Sequence, residues 1–204
     1  MTGIFITFEG GEGGGKSTQS KLLGEFFQSI GKSVVLTREP GGTKGAEDIR
    51  SLLVKGETDK WDHVTETLLH LAARRDHVEK IIKPALAKGE VVICDRFCDS
   101  TLAYQGYGHG LGVEYINNMQ KLVIGDFRPD LTFILDIDPK AGITRAGSRG
   151  DKEDRYEKMG SGFHDRVRNG FLNIAQAEPN RCHVIDANRP IEEIHKAIVN
   201  ICKD

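Results

Sequence analysis

Five short apolar runs, rich in β-branched residues, alternate along the chain with longer stretches in which apolar and polar positions follow a helical period. The runs cover residues 4–8, 33–37, 91–94, 131–137 and 183–185. Runs this short and apolar on both faces suit parallel strands sandwiched between helices. The helical pattern predicts helices over residues 16–30, 46–54, 65–87, 113–124, 139–146, 162–177 and 191–202. Gly31 stands where the first should stop, and Pro139 and Pro190 stand where helices begin. Pro84 should kink or break the long third helix near its end. Strand-helix alternation predicts an α/β fold in three layers, a five-stranded parallel sheet flanked by helices with right-handed crossovers.

Composition narrows this picture a little. At 204 residues the chain fits one domain over 1–204. A hydrophobic share of 38% with 28% charged residues fits a globular protein in water. The formal net charge is −2, so nothing points to a nucleic-acid polymer as partner. Cys94, Cys98, Cys182 and Cys202 lack metal or redox spacing and read as free thiols. The chain shows no signal-peptide pattern and no membrane-length apolar run, so a reducing cytoplasm is the expectation.

The strongest chemical signal is Gly10-Gly11-Glu12-Gly13-Gly14-Gly15-Lys16-Ser17, followed by Thr18. Glycine, four residues, glycine, lysine and serine, between a strand and a helix, is the phosphate-loop pattern. Glycines let successive amides turn inward around a phosphate, and the helix start adds its positive dipole end. Lys16 is placed for the β- and γ-phosphates and Ser17 for a magnesium ion. A glycine turn without ligand is the bland alternative; strand, loop, lysine, serine and helix in register weigh against it. The loop predicts a P-loop NTPase fold and an ATP site at residues 10–18, without choosing between kinase, ATPase and GTPase.

Asp95-Arg96 closes the third strand, at the edge where open α/β sheets bind ligands. A carboxylate there can serve the metal, and an arginine can grip a second phosphate bidentately. The alternative is a surface ion pair. No guanine-reading Asn-Lys-x-Asp segment is present. Arg145, Arg149, Arg155, Arg166 and Arg168, interspersed with glycines, read as a basic flap, a lid over about residues 145–162 that closes on ATP and excludes water. Asp151, Glu153, Asp154 and Glu157 keep open the alternative of a solvated helix with ordinary charge pairs.

Three segments carry a family resemblance: Thr37-Arg38-Glu39-Pro40-Gly41-Gly42-Thr43, Asp95-Arg96-Phe97 and Ser100-Thr101-Leu102-Ala103-Tyr104-Gln105-Gly106. Together they resemble thymidylate kinase, over most of the chain. The resemblance implies transfer from Mg-ATP to dTMP in dTTP synthesis, and a homodimer packed through helices such as 65–87. It implies that Arg96 binds the acceptor phosphate, that Asp95 serves the metal network and that Arg74 reads the thymine edge. Tyr104 lies beneath the deoxyribose, Gln105 and Ser100 meet the base, and Arg38, Glu39 and Pro40 shape the acceptor side. Glu12 reaches the sugar 3′-hydroxyl. A phosphate loop with an acid and no arginine goes with a catalytic lid arginine, Arg149 first and Arg155 second. His70 stands where the family places a phenylalanine on the base; Leu71 is the competing choice, though a spacing of four puts His70 on the face of Arg74. The rivals are another P-loop kinase of small molecules and a nucleotide-binding switch without transfer chemistry.

Overall fold

The computed structural model describes residues 3–147 and 155–203. Arg149 lies outside them, as does much of the span read as a lid. Five strands, β1 (Ile4–Glu9), β2 (Val34–Arg38), β3 (Val91–Asp95), β4 (Leu131–Asp136) and β5 (Cys182–Asp186), form one sheet in the order β2-β3-β1-β4-β5. Every pairing is parallel. Each strand falls within two residues of its predicted run.

The helices are α1 (Lys16–Ser29), α2 (Lys44–Leu53), α3 (His63–His77), α4 (Lys83–Ala87), α5 (Cys98–Thr101), α6 (Val113–Ile124), α7 (Pro139–Gly147), α8 (Ser161–Ala177) and α9 (Ile191–Ile201). Local chemistry sets their ends. Gly31 takes φ 79° after α1, with its N–H on Gln28 O and Lys32 N–H on Phe27 O, a paired C-terminal cap. Thr43 and Asp62 accept from amides of the first turns of α2 and α3, so both helices begin two residues earlier than periodicity predicts.

The predicted helix over 65–87 is interrupted upstream of Pro84. Residues Val78–Ile82 form a π-helical turn, with Lys83 N–H on Val78 O. Pro84 cannot donate to the carbonyl four residues back, and its ring crowds that turn, so the turn before it widens. A second π-helical segment, Leu102–Gly108, continues α5, in a stretch where the sequence pattern predicts no helix.

The sheet is covered on both faces. Ile6, Phe8, Leu23, Ile93, Leu135 and Ile198 are fully buried on one side, with α1 and α9 packed there. Phe5, Val78, Ile82, Val92 and Phe97 fill the other. A third cluster joins the π-helical segment to α8, where Tyr104, Phe163 and Phe171 meet edge to face. The C-terminal ends of β1, β2 and β3 all open onto one cleft, from which Gly10, Glu39 and Arg96 continue the chain.

Candidate active site

The cleft beyond these strand ends has a volume of about 270 Å³. Its walls bring together residues from all three marked segments. Glu12, Gly13, Gly15, Lys16 and Ser17 line it from the phosphate loop, and Arg38, Glu39 and Pro40 from the end of β2. His70 and Arg74 come from α3, Asp95 and Arg96 from β3, and Ser100, Tyr104 and Gln105 from α5 and the π-helical segment. Gly10 and Gly11 border a small neighbouring cavity instead. Gly14 is buried and Thr18 is exposed, and neither lines the cleft.

The loop owes its shape to glycine. Gly10, Gly13 and Gly15 sit at φ 126°, 68° and 85°, which side chains rarely adopt. A Cβ at Gly13 would also fall 2.0 Å from Gly142 O. Lys16 Nζ donates to Gly10 O at 3.2 Å and Gly11 O at 2.6 Å. Burial, seconded by the Arg96 cation, lowers the ammonium to about 8, with Glu12 and Asp95 opposing. Ser17 Oγ donates to Asp95 Oδ2 at 2.5 Å, two hard oxygens side by side at the cleft wall.

Arg96 stands between loop and cleft. Its φ of 71° is a left-handed conformation for a residue with a side chain, a strain that functional sites often hold. Its guanidinium donates to Gly10 O at 2.9 Å, Ser100 Oγ at 3.2 Å and Glu12 Oε1 at 2.9 Å, and lies 5.0 Å over the Tyr104 ring. Tyr104 Oη donates to the same Glu12 oxygen at 2.8 Å. Burial would raise the Glu12 carboxyl, but Arg96, Lys16 and the Tyr104 hydroxyl outweigh it and bring it down to about 2. The cleft therefore holds a fixed anion beside two cations.

The far wall is a buried polar net. Arg74, 2% exposed, donates from Nε to Glu39 Oε2 at 2.7 Å, from Nη2 to Phe97 O at 2.9 Å and from Nη1 to Gln120 Oε1 at 3.3 Å. His77 Nδ1 lies 2.9 Å from Glu39 Oε1 and its Nε2 2.7 Å from Thr37 Oγ1. Burial would raise the Glu39 carboxyl; Arg74 and His77 together hold it below the usual range. Among the described residues, these bonds commit three of the five Arg74 N–H groups.

His70, not Leu71, lines the cleft; Leu71 is 2% exposed in the helix packing. The His70 Nε2 is 2.8 Å from Tyr156 Oη. Burial brings the imidazole down to about 4, so it is a neutral ring at pH 7. Arg155, the second lid arginine, is completely buried. It donates to Glu57 O at 2.9 Å, Leu53 O at 3.2 Å and Thr58 O at 3.0 Å, and pairs with Glu66 Oε2 at 2.6 Å. Arg166 donates to Gly108 O, and Arg168 holds Asp136 with two bonds. These cations of the expected flap are structural ties in this arrangement.

Sequence reasoning missed Glu9, Arg50, Glu66, Gln120 and Tyr156. Burial, with the Asp99 charge next, pushes the Glu9 carboxyl up to about 7, although it accepts from Phe97 N at 2.7 Å and Ser100 Oγ at 2.5 Å. Arg50 and Tyr156 line the cleft. Glu66 had a signal: it precedes His70 and Arg74 at the same spacing of four, on one helix face. Glu9, Gln120 and Tyr156 had none short of their tertiary neighbours.

A parallel sheet with a glycine loop at the end of β1, a lysine in that loop and an arginine at the next strand end over a shared cleft define the class of P-loop phosphotransferases. The family model of thymidylate kinase matches residues 8–198. A thymidylate kinase of Caulobacter vibrioides is 50% identical over 199 residues, 98% of this chain and 95% of that one. One from Pseudomonas fluorescens is 50% identical over 198 residues, 97% and 94% of the two chains. A solved thymidylate kinase from Ehrlichia chaffeensis superposes with a TM-score of 0.81 at 43% identity, covering 100% of both chains. The chain belongs to the thymidylate kinase family.

Proposed function

We propose that this chain phosphorylates dTMP to dTDP with Mg-ATP as donor, in the supply of dTTP. The observation that carries the reading is the single cleft that joins Lys16 and the loop to Arg96 and, beyond it, to the Arg74–Glu39 wall. Family membership supports dTMP as acceptor over the substrates of other P-loop kinases.

The acceptor monophosphate oxygen is itself the nucleophile and is largely ionised at pH 7, so no strong base is needed. The protein's work is alignment and charge stabilisation. Gly10 to Thr18 hold the donor, and Lys16 exchanges its two loop carbonyls for phosphate oxygens. Arg96 takes the acceptor phosphate, with Glu12 and Tyr104 setting its orientation. Arg74, Gln105 and Ser100 face the base, with His70 beside it as a neutral ring, and Arg38, Glu39 and Pro40 frame the acceptor side. The adjacent oxygens of Ser17 and Asp95 fit magnesium, which takes few protein ligands and keeps most of its shell for phosphates and water; the ion supplies charge neutralisation at the phosphates. Arg149 is the lid arginine in this reading, supported by the burial of Arg155 and its engagement with Glu66 and three backbone carbonyls.

Among the described residues no helix is long and apolar enough to cross a membrane. All four cysteines are free, in keeping with a reducing cytoplasm. A homodimer completes the proposal, supported by exposed Leu68 on α3 and Leu122 on α6. A coupled assay of ATP with each nucleoside monophosphate tests the function. Product should form with dTMP above all others and vanish in a folded Lys16→Ala variant. Equal turnover of ribonucleotides, or full activity of the variant, would reject it.

A further inference from the structure

Gln105 donates its Nε2 to Glu66 Oε1 at 2.7 Å, in a spot where Glu66 is 0% exposed. Glu66 is surrounded by other donors. Arg155 Nη1 stands 2.6 Å from its Oε2, and His109 Nε2 stands 3.2 Å from its Oε1. Burial alone would raise this carboxyl; the close approach of His109, the Arg155 cation and the Gln105 amide hold it well below the usual range. Glu66 is therefore an anion, and a carboxylate anion only accepts.

That fact removes a freedom from Gln105. A glutamine amide can ordinarily turn over, exchanging a carbonyl for an NH2 group at nearly the same shape. Here the NH2 must face Glu66, because the other orientation sets a carbonyl oxygen against a buried carboxylate. The Gln105 Oε1 is the end left over. Gln105 lines the cleft, and among the described residues no hydrogen bond is formed by that oxygen.

We propose that Glu66 is a positioning residue for base selection: by fixing the Gln105 amide it makes the cleft present a carbonyl acceptor, which admits a pyrimidine carrying N–H at its pairing edge and rejects one carrying a lone pair there. Thymine and uracil have the N–H at ring position 3; cytosine has the lone pair. The inference rests on the acceptor assigned under the proposed function. Arg155 and His109 act through Glu66, keeping it anionic and fixed, so the same carboxylate ties base recognition to the buried packing of Arg155.

The test is kcat/KM for dTMP and for dCMP in the wild type, in Glu66→Gln and in Glu66→Gln/Gln105→Glu. Cytosine's exocyclic amino group meets the same Arg74 in all three, so a change in the dTMP:dCMP ratio reads the ring-nitrogen contact. Glu66→Gln supplies both a donor and an acceptor, so Gln105 can turn, and the ratio should fall by about ten-fold or more. The double variant returns an acceptor-only group to position 105 and should bring the ratio back to within about three-fold of wild type. A carboxylate that merely supports the fold would lower both substrates together; an unmoved ratio in a folded Glu66→Gln overturns the proposal. Should that variant fail to fold, the double variant decides, since it keeps one carboxylate and one amide in the same buried volume. A collapsed ratio there overturns the proposal, and a retained one supports it. A wild type that does not phosphorylate dTMP would instead sink the functional reading.

Discussion

Lys16 is only 7% exposed, and its ammonium is charged in a place that disfavours charge. Its folded pKa is lowered from 10.5 to about 8, chiefly by burial. Below that value the folded protein carries a cation that burial penalises by about 3 kcal/mol, at ~1.4 kcal/mol per unit. The unfolded chain still binds the proton between 8 and 10.5, where the folded protein has released it. Stability contributed by this group therefore rises with pH across that window. Two outcomes follow from the sign. In the wild type, kcat/KM for ATP, which reports the free enzyme, should fall as pH climbs through about 8. The alkaline limb of kcat should lie higher, because a bound triphosphate stabilises the cation. Lys16→Met should be inactive yet melt at a higher temperature than wild type at pH 7, with the gap narrowing toward pH 10. A flat kcat/KM profile to pH 10 would contradict the first outcome.

At the scale of elements, the acceptor wall depends on a helix that widens. The π-helical segment Leu102–Gly108 carries Tyr104 and Gln105 and packs on α8. The approach is close enough that a Cβ at Gly108 would lie 2.7 Å from Phe163 Cε2 and 2.9 Å from Val167 Cγ2. Gly108→Ala should cost about 1–3 kcal/mol by overpacking, read as a lower denaturation midpoint. It should also raise KM for dTMP more than KM for ATP, since Tyr104 and Gln105 move with this segment while the phosphate loop does not. This element was illegible in the sequence because Gly106, Gly108, Gly110 and Gly112 signal turns, and a π turn breaks the 3.6-residue period. The sheet strands, by contrast, were visible as apolar runs because a parallel sheet covered on both faces needs them.

For the whole molecule, the net charge of −2 is uninformative about a cleft that gathers Lys16, Arg38, Arg50, Arg74 and Arg96. Charge that matters to a nucleotide is local, and only folding concentrates it. The outer surface poses a separate question. Leu68 is 53% exposed and Leu122 is 88% exposed, on helices that pack together. If a second copy covers this face, Leu68→Glu with Leu122→Glu should convert a dimer to a monomer in sedimentation velocity, at little cost to the monomer fold, because neither side chain is in the core. A wild type that sediments as a monomer at micromolar concentration would reject the proposed assembly.

Short-range chemistry decided what could be read from the residues alone. The phosphate loop, the strand ends at Asp95 and Arg96, and the pairing of His70 with Arg74 on one helix face all follow from contiguous sequence or from one helical turn. The commitments of individual charges came only with the tertiary structure. Arg155 and Arg149 look alike in a basic segment; only packing ties Arg155 to Glu66 and three carbonyls. Glu9 and Gln120 likewise gain meaning from partners 88 and 46 residues away. A buried charge is stable only where its partners converge, and distant segments converge only once the sheet and its helices have formed.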